Sequence, residues 1–96
     1  TIKPGDTFYG LSKRYNKSIE ALKKINDFPE DYVLKAGETF FVKKKKKKFK
    51  AAKYHVVQKG ETLLSISQAY GIRKRSLMKM NKLNAEPAVG SKLVLN

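Results

Sequence analysis

Gly5-Asp6-Thr7-Phe8-Tyr9-Gly10-Leu11-Ser12 returns 55 positions later as Gly60-Glu61-Thr62-Leu63-Leu64-Ser65-Ile66-Ser67. The match extends outward from this stretch. Tyr15 falls on Tyr70, Leu22 on Leu77, Lys24 on Lys79, Asn26 on Asn81 and Phe28 on Leu83. Beyond the asparagine the register slips by two residues, so Gly37 falls on Gly90, and Phe40-Phe41-Val42 fall on Leu93-Val94-Leu95. The chain is therefore a tandem repeat, with a longer loop after the asparagine of the first copy.

Each copy has the same local grammar. A short apolar-polar stretch, Thr1-Ile2-Lys3 or Tyr54-His55-Val56-Val57, predicts a strand. The Gly-Asp/Glu-Thr turn then places Thr7 or Thr62 as a helix N-cap, whose hydroxyl accepts from a free backbone N–H. Phe8, Leu11 and Tyr15 mark one helical face, as do Leu63, Ile66 and Tyr70. Asn16-Lys17 and Gly71 break that helix. Ser18 is a good cap for a second helix carrying Ile19, Leu22 and Ile25, whereas its counterpart Arg73 is a poor one. A turn at Gly37 or Gly90 leads to a last strand, 39–42 or 92–95. The expected fold class is α+β. It comprises two βααβ units, each a two-stranded antiparallel sheet with both helices on one face. The expected boundaries are 1–42 and 54–96 for the repeats and 43–53 for a lysine-rich linker.

Units of about 43 residues lie near the lower limit for unaided folding, so each core must be built from local elements. No Cys is present, which excludes a disulfide framework and a thiolate metal site. No apolar run approaches the ~20 residues of a membrane helix. The chain begins at Thr1 and reads as a piece of a longer protein, with any targeting signal outside it. The formal charge of +14 is unevenly spread. Residues 1–42 hold seven bases and six acids, 43–53 hold eight lysines and no acid, and 54–96 hold seven bases and two acids. The largest basic block lies between the predicted folds rather than on one of their faces.

Gly5-Asp6-Thr7, Tyr15, Leu22, Asn26 and Gly37, with their partners in the second copy, resemble the LysM family. The resemblance covers nearly everything except 43–53. It implies a βααβ fold that binds polymers containing N-acetylglucosamine, chiefly peptidoglycan and chitin. It places the sugar groove between the first strand–helix turn and the loop after the second helix. The implied glycan-binding residues are Gly5, Asp6, Thr7 and Phe8 with Asn26, Asp27, Phe28 and Pro29 in the first copy. In the second they are Gly60, Glu61, Thr62 and Leu63 with Asn81, Lys82, Leu83 and Asn84. The Asn-Pro frequent after the second helix of the family is replaced by Asn26-Asp27 and Asn81-Lys82. The lack of Cys favours a bacterial wall module over a disulfide-tied chitin receptor. The tandem with a basic linker resembles the C-terminal tail of bacterial glucosaminidases, which implies a location in the cell envelope, periplasmic or extracellular.

Several residues carry two readings. The amide and methyl of an N-acetyl group suit a turn with free backbone N–H and C=O groups beside an apolar side chain. Gly5, Thr7, Gly60 and Thr62 are equally explained as turn and cap residues. Asn26 and Asn81 either touch sugar or brace the loop. Tyr15 and Tyr70 read as core with the hydroxyl at the rim. Phe28, beside Pro29, is either a groove wall or a local plug. His55 stands alone, with no Cys, second His or neighbouring acid, and reads as a surface strand residue. The eight carboxylates form no pair suited to glycosidic cleavage. No nucleophile–base set or phosphate loop is present, so the chain is expected to be non-catalytic and to need no metal or cofactor. The Lys43–Lys48 run reads as a solvated spacer attractive to anionic envelope polymers. A nucleic-acid reading, with Phe49 stacking on a base, stays open as the alternative.

Overall fold

Thr7 and Thr62 open the first helix of each half, as their position predicts. The Thr7 hydroxyl accepts from Gly10 N–H and starts α1 (Phe8–Tyr15). The Thr62 hydroxyl accepts from Ser65 N–H and starts α3 (Leu63–Tyr70), where the Ser65 hydroxyl in turn accepts from Thr62 N–H. Asn16 and Gly71, both left-handed, end these helices. The Ser18 hydroxyl caps α2 (Ile19–Ile25) by accepting from Ala21 N–H, while α4 (Lys74–Met80) starts at Arg73 with no side-chain cap. The computed structural model describes residues 1–96 and divides into two compact units, Thr1–Lys44 and Lys45–Asn96.

In the second unit, β1 (Tyr54–Val56) pairs antiparallel with β2 (Lys92–Val94), in the register Tyr54↔Val94, His55↔Leu93 and Val56↔Lys92. Val57 extends the ladder, donating to Ser91 O and accepting from Gly90 N–H. Ile2 makes the same two bonds in the first unit, to Glu38 O and from Gly37 N–H. Only Thr1 stands where Tyr54–Val56 stand in the second copy, so this pairing does not grow into a named strand ladder.

The α+β architecture is as expected, with a helix pair packed in each unit. The core of unit 2 is Val57, Leu63, Ile66, Ile72, Leu77, Leu93 and Leu95, each at most 2% exposed. Unit 1 has a smaller one, Ile2, Leu11 and Leu22, flanked by Leu34 and Phe40. Leu22 and Leu77 occupy the same place in both, and truncating either to Ala would cost ~2–5 kcal/mol. Tyr15 departs from the sequence reading: it is 41% exposed and not core, whereas Tyr70 packs against the core of unit 2.

The expected free spacer at 43–53 is replaced by something different. Residues 45–53 belong to unit 2. Lys45 is only 3% exposed, and its ammonium donates to Ser67 Oγ at 2.9 Å and Gln68 Oε1 at 2.7 Å. Lys46 bridges to Ile72 in parallel, donating to Gly71 O and accepting from Arg73 N–H. Phe49 and Ala52 pack on the core, and Phe49 meets Tyr70 edge-on with centroids 5.0 Å apart. A lysine run reads as solvated because charge is costly to bury, yet the apolar Phe49 and the long Lys45 stem supply the means to dock it.

Candidate functional site

The first predicted wall is the strand–helix turn. Gly5 and Gly60 lie at φ +86 and +85, a left-handed geometry that a side chain would strain. Asp6 Oδ2 accepts from Lys3 N–H at 2.8 Å, and Glu61 Oε1 accepts from Gln58 N–H at 2.7 Å. Both acids thus close their own turns, and Thr7 and Thr62 cap their own helices.

The second wall is the exit from the second helix. Asp27 and Lys82 are left-handed, at φ 59 and 53. Phe28 N–H donates to Lys23 O and Asp27 N–H to Lys24 O; Leu83 N–H donates to Met78 O and Lys82 N–H to Lys79 O. This is the paired-bond helix stop known as the Schellman motif, which places an apolar residue just past the left-handed one. The motif accounts for Phe28 and Leu83 without a ligand.

The asparagines clamp this exit to the closing segment of each unit, at Phe41 or at Val94 in β2. Asn26 Oδ1 accepts from Phe41 N–H at 2.7 Å, while its Nδ2 donates to Leu22 O and Phe41 O. Asn81 makes the same three bonds with Val94 and Leu77. Asn26 is fully buried, so it shapes the loop from inside and does not present its amide to a ligand.

Phe28 is likewise displaced from the groove-wall role by its burial, at 9% exposure. It stacks on Tyr32 with centroids 4.0 Å apart, meets Phe8 edge-on at 6.2 Å and leans on Phe40 at 6.4 Å. The two predicted walls of unit 1 therefore touch through Phe8 and Phe28, and Pro29 stays exposed beside them. Burial, and then the Glu38 carboxylate that accepts its hydroxyl at 2.5 Å, push the Tyr32 phenol up to about 12.

In unit 2 a cavity of ≈ 380 Å³ opens along the second wall, lined by Asn81, Lys82, Leu83 and Asn84 with the following loop as far as Ala88 and part of β2. Gly60, Glu61, Thr62 and Leu63 do not line it. They reach that loop through one bond: Glu86 accepts Leu63 N–H, the first amide of α3, at 2.7 Å. Glu86 was not legible as a site residue, since no motif marks an acid 23 positions from its partner.

His55 is not isolated as the sequence suggested. Its Nε2 lies 2.8 Å from Glu61 Oε1 and its Nδ1 2.7 Å from the Tyr70 hydroxyl. A carboxylate can only accept, so Nε2 carries the proton. The Gln58 N–H, and then His55, hold the Glu61 carboxyl below its ordinary 4.5.

These features define a class: a repeated module in which a glycine turn and a threonine cap start a helix pair and a left-handed residue after an asparagine stops it. The LysM domain family matches residues 1–43 and 55–96, and the chain belongs to that family. It is similar to the N-acetylmuramoyl-L-alanine amidase Sle1 of Staphylococcus aureus, with 28% identity over 88% of this chain and 28% of the relative. Among solved structures it is similar to the spore cortex-lytic enzyme SleL of Bacillus cereus, with 28% identity and a TM-score of 0.45 over 100% of this chain and 21% of that one. The SleL of Bacillus megaterium shares 18% identity, with a TM-score of 0.41 over 98% of this chain and 21% of that one. The chain thus spans little more than a quarter of the curated relative's length.

Proposed function

We propose that this chain is a non-catalytic module that holds a larger bacterial peptidoglycan hydrolase on wall glycan containing N-acetylglucosamine. The observation that carries the reading is the double occurrence of the LysM unit, each with a left-handed glycine in its strand–helix turn and a left-handed residue at the stop of its second helix. In this reading the turn and the loop after the second helix supply backbone donors and acceptors for an N-acetyl amide beside apolar cover for its methyl. The unit 2 cavity falls within the size range of small-ligand sites. The acids of the turns and loops serve structure: Asp6, Glu61, Glu38 and Glu86 are each engaged in turn or cap bonds.

The rest of the parent is an amidase or, as the tandem organisation suggests, a glucosaminidase. The module works in the cell envelope or outside it. Chitin oligomers bind the same clefts more weakly than peptidoglycan. Co-sedimentation of the chain with purified peptidoglycan tests the reading, with an assay for released reducing ends. Binding without sugar release is expected. Failure to sediment refutes the binding half, and release of reducing ends refutes the non-catalytic half.

A further inference from the structure

The docking of residues 45–53 on unit 2 gives that unit a second surface of its own. Unit 2 contains thirteen Lys and Arg residues against two acids, Glu61 and Glu86. Both acids are tied up at one end of the α3–α4 pair, Glu61 with Gln58 and His55, and Glu86 with Leu63. The opposite end, where α3 stops at Gly71 and α4 begins, holds no acid.

At that end the parallel bridge between Lys46 and Ile72 brings two basic triplets out from one point, Lys46–Lys48 and Arg73–Arg75. Lys46, Lys47, Lys48 and Arg75 are exposed. The Arg73 Nε–H donates to Lys45 O at 2.9 Å, which fixes one triplet against the other. Lys45, buried on Ser67 and Gln68, anchors the segment so that its neighbours are held by the fold. Lysines on a docked backbone lose less freedom on binding than lysines on a coil, and Arg adds bidentate geometry for phosphate.

We propose that this ridge binds a linear phosphodiester polymer lacking bases, of the polyol phosphate type, independently of the glycan cleft. Charge complementarity selects a polyanion, and the array of separate cations suits a flexible chain with one charge per repeat. Neither triplet contains an aromatic ring, and Phe49, the one ring within the lysine run, packs edge-on against Tyr70. α3 has eight residues, so the ridge lies about 12 Å along the helix from the turn at Leu63. A glycan strand and a phosphate polymer can therefore occupy unit 2 together.

The test uses the intact chain, titrated with synthetic poly(glycerol phosphate), with oligothymidylate of equal charge, and with chitotetraose at several salt concentrations. Poly(glycerol phosphate) binding is expected to fall with salt on a log–log slope of about −3, from four single-strand phosphate contacts. A combined Lys46→Ser, Lys47→Ser, Lys48→Ser, Arg75→Ser variant should lose more than tenfold affinity for it and keep its chitotetraose affinity. Arg73→Lys keeps the charge but loses the Nε–H bond to Lys45 O, and should cost about threefold. An unchanged affinity in Arg73→Lys would overturn the fixed ridge in favour of loose charge. Oligothymidylate binding as tightly as poly(glycerol phosphate) overturns the base-free assignment. A flat salt dependence, or competition between chitotetraose and poly(glycerol phosphate), overturns the separate site. These readouts stand whether or not the chain binds peptidoglycan.

Discussion

The carboxylate of Glu86 accepts the backbone N–H of Leu63, so the two sides of the unit 2 cleft are bridged from within the chain. Leu63 N–H is one of the helix-start donors that have no intrahelical partner, and an incoming N-acetyl carbonyl would have to displace Glu86 to reach it. Glu86→Ala should tighten chitotetraose binding at unit 2 about fivefold, the equivalent of ~1 kcal/mol for a carboxylate at a helix start. Residue-resolved NMR titration of the intact chain, following Gly60–Leu63, measures it. A weakened site would show that Glu86 serves the ligand rather than competing with it.

Phe28→Ala should unfold unit 1. The ring is buried among Phe8, Tyr32 and Phe40, and removing a buried Phe costs ~3–5 kcal/mol, most of what so small a core supplies. Amide dispersion for residues 1–44 should collapse while that for 45–96 stays. Tyr9→Ala, at a ring 66% exposed, is the control and should leave both sets intact.

Asn26→Ala and Asn81→Ala remove equivalent clamps, and each takes the side-chain partner from one backbone N–H and one C=O, those of Phe41 or Val94, while Leu22 O and Leu77 O keep the backbone N–H of residue 26 or 81. Unsatisfied buried groups cost ~1–3 kcal/mol each, so losses of about 2–4 kcal/mol are expected. Asn26 is fully buried and Asn81 only partly, so the first change should be the worse. Denaturant unfolding followed separately in each unit gives the comparison; equal losses would show that burial does not set the cost.

The two units should respond to opposite ends of the pH scale. Glu61 has its carboxyl held below 4.5 by the Gln58 amide and then by His55, so its contribution is full above that value and lost as pH falls below it. Glu61→Gln should flatten the acid decline of unit 2. Tyr32 is raised from 10.0 to about 12, so its contribution is full below pH 10 and disappears as pH rises through 12. Tyr32→Phe should flatten the alkaline decline of unit 1. Thermal melts from pH 3 to 6 and from 9 to 12 would reveal either slope, and an unchanged slope in a mutant discards that linkage.

Features carried by short-range chemistry were open to reading from the sequence. Thr7, Ser18 and Thr62 cap because their hydroxyls lie within three residues of their donors, and Leu22 and Leu77 follow helical spacing. Arg73 fails to cap for the reason its side chain suggests. The sequence signal for the helix-stop role of Phe28 was an apolar residue two positions past the asparagine in both copies, while the left-handed turn at Asp27 and Lys82 needed the structure. What escaped depends on the folded chain. Glu86 reaches Leu63 across a long loop, His55 meets Glu61 only because the turn at Gly60 folds back, and Lys45 is buried against helix residues 22 and 23 positions away. No periodicity records such meetings.

The docked segment also changes what is portable about this module. The Lys53 carbonyl accepts Leu95 N–H, Phe49 N–H donates to Leu95 O, and Asn96 reaches the carbonyls of Phe49 and Ala52. Leu95 and Asn96 are thus stitched to residues that precede β1. A graft beginning at Tyr54, the expected start of the second repeat, would leave behind Phe49 and Ala52 from its core and Lys45 from the side of α3. Shuffling the module between proteins must carry the preceding residues 45–53 with it. The stretch that is repeated and the stretch that coheres are of different lengths, and a swap at the wrong one would yield a frayed domain.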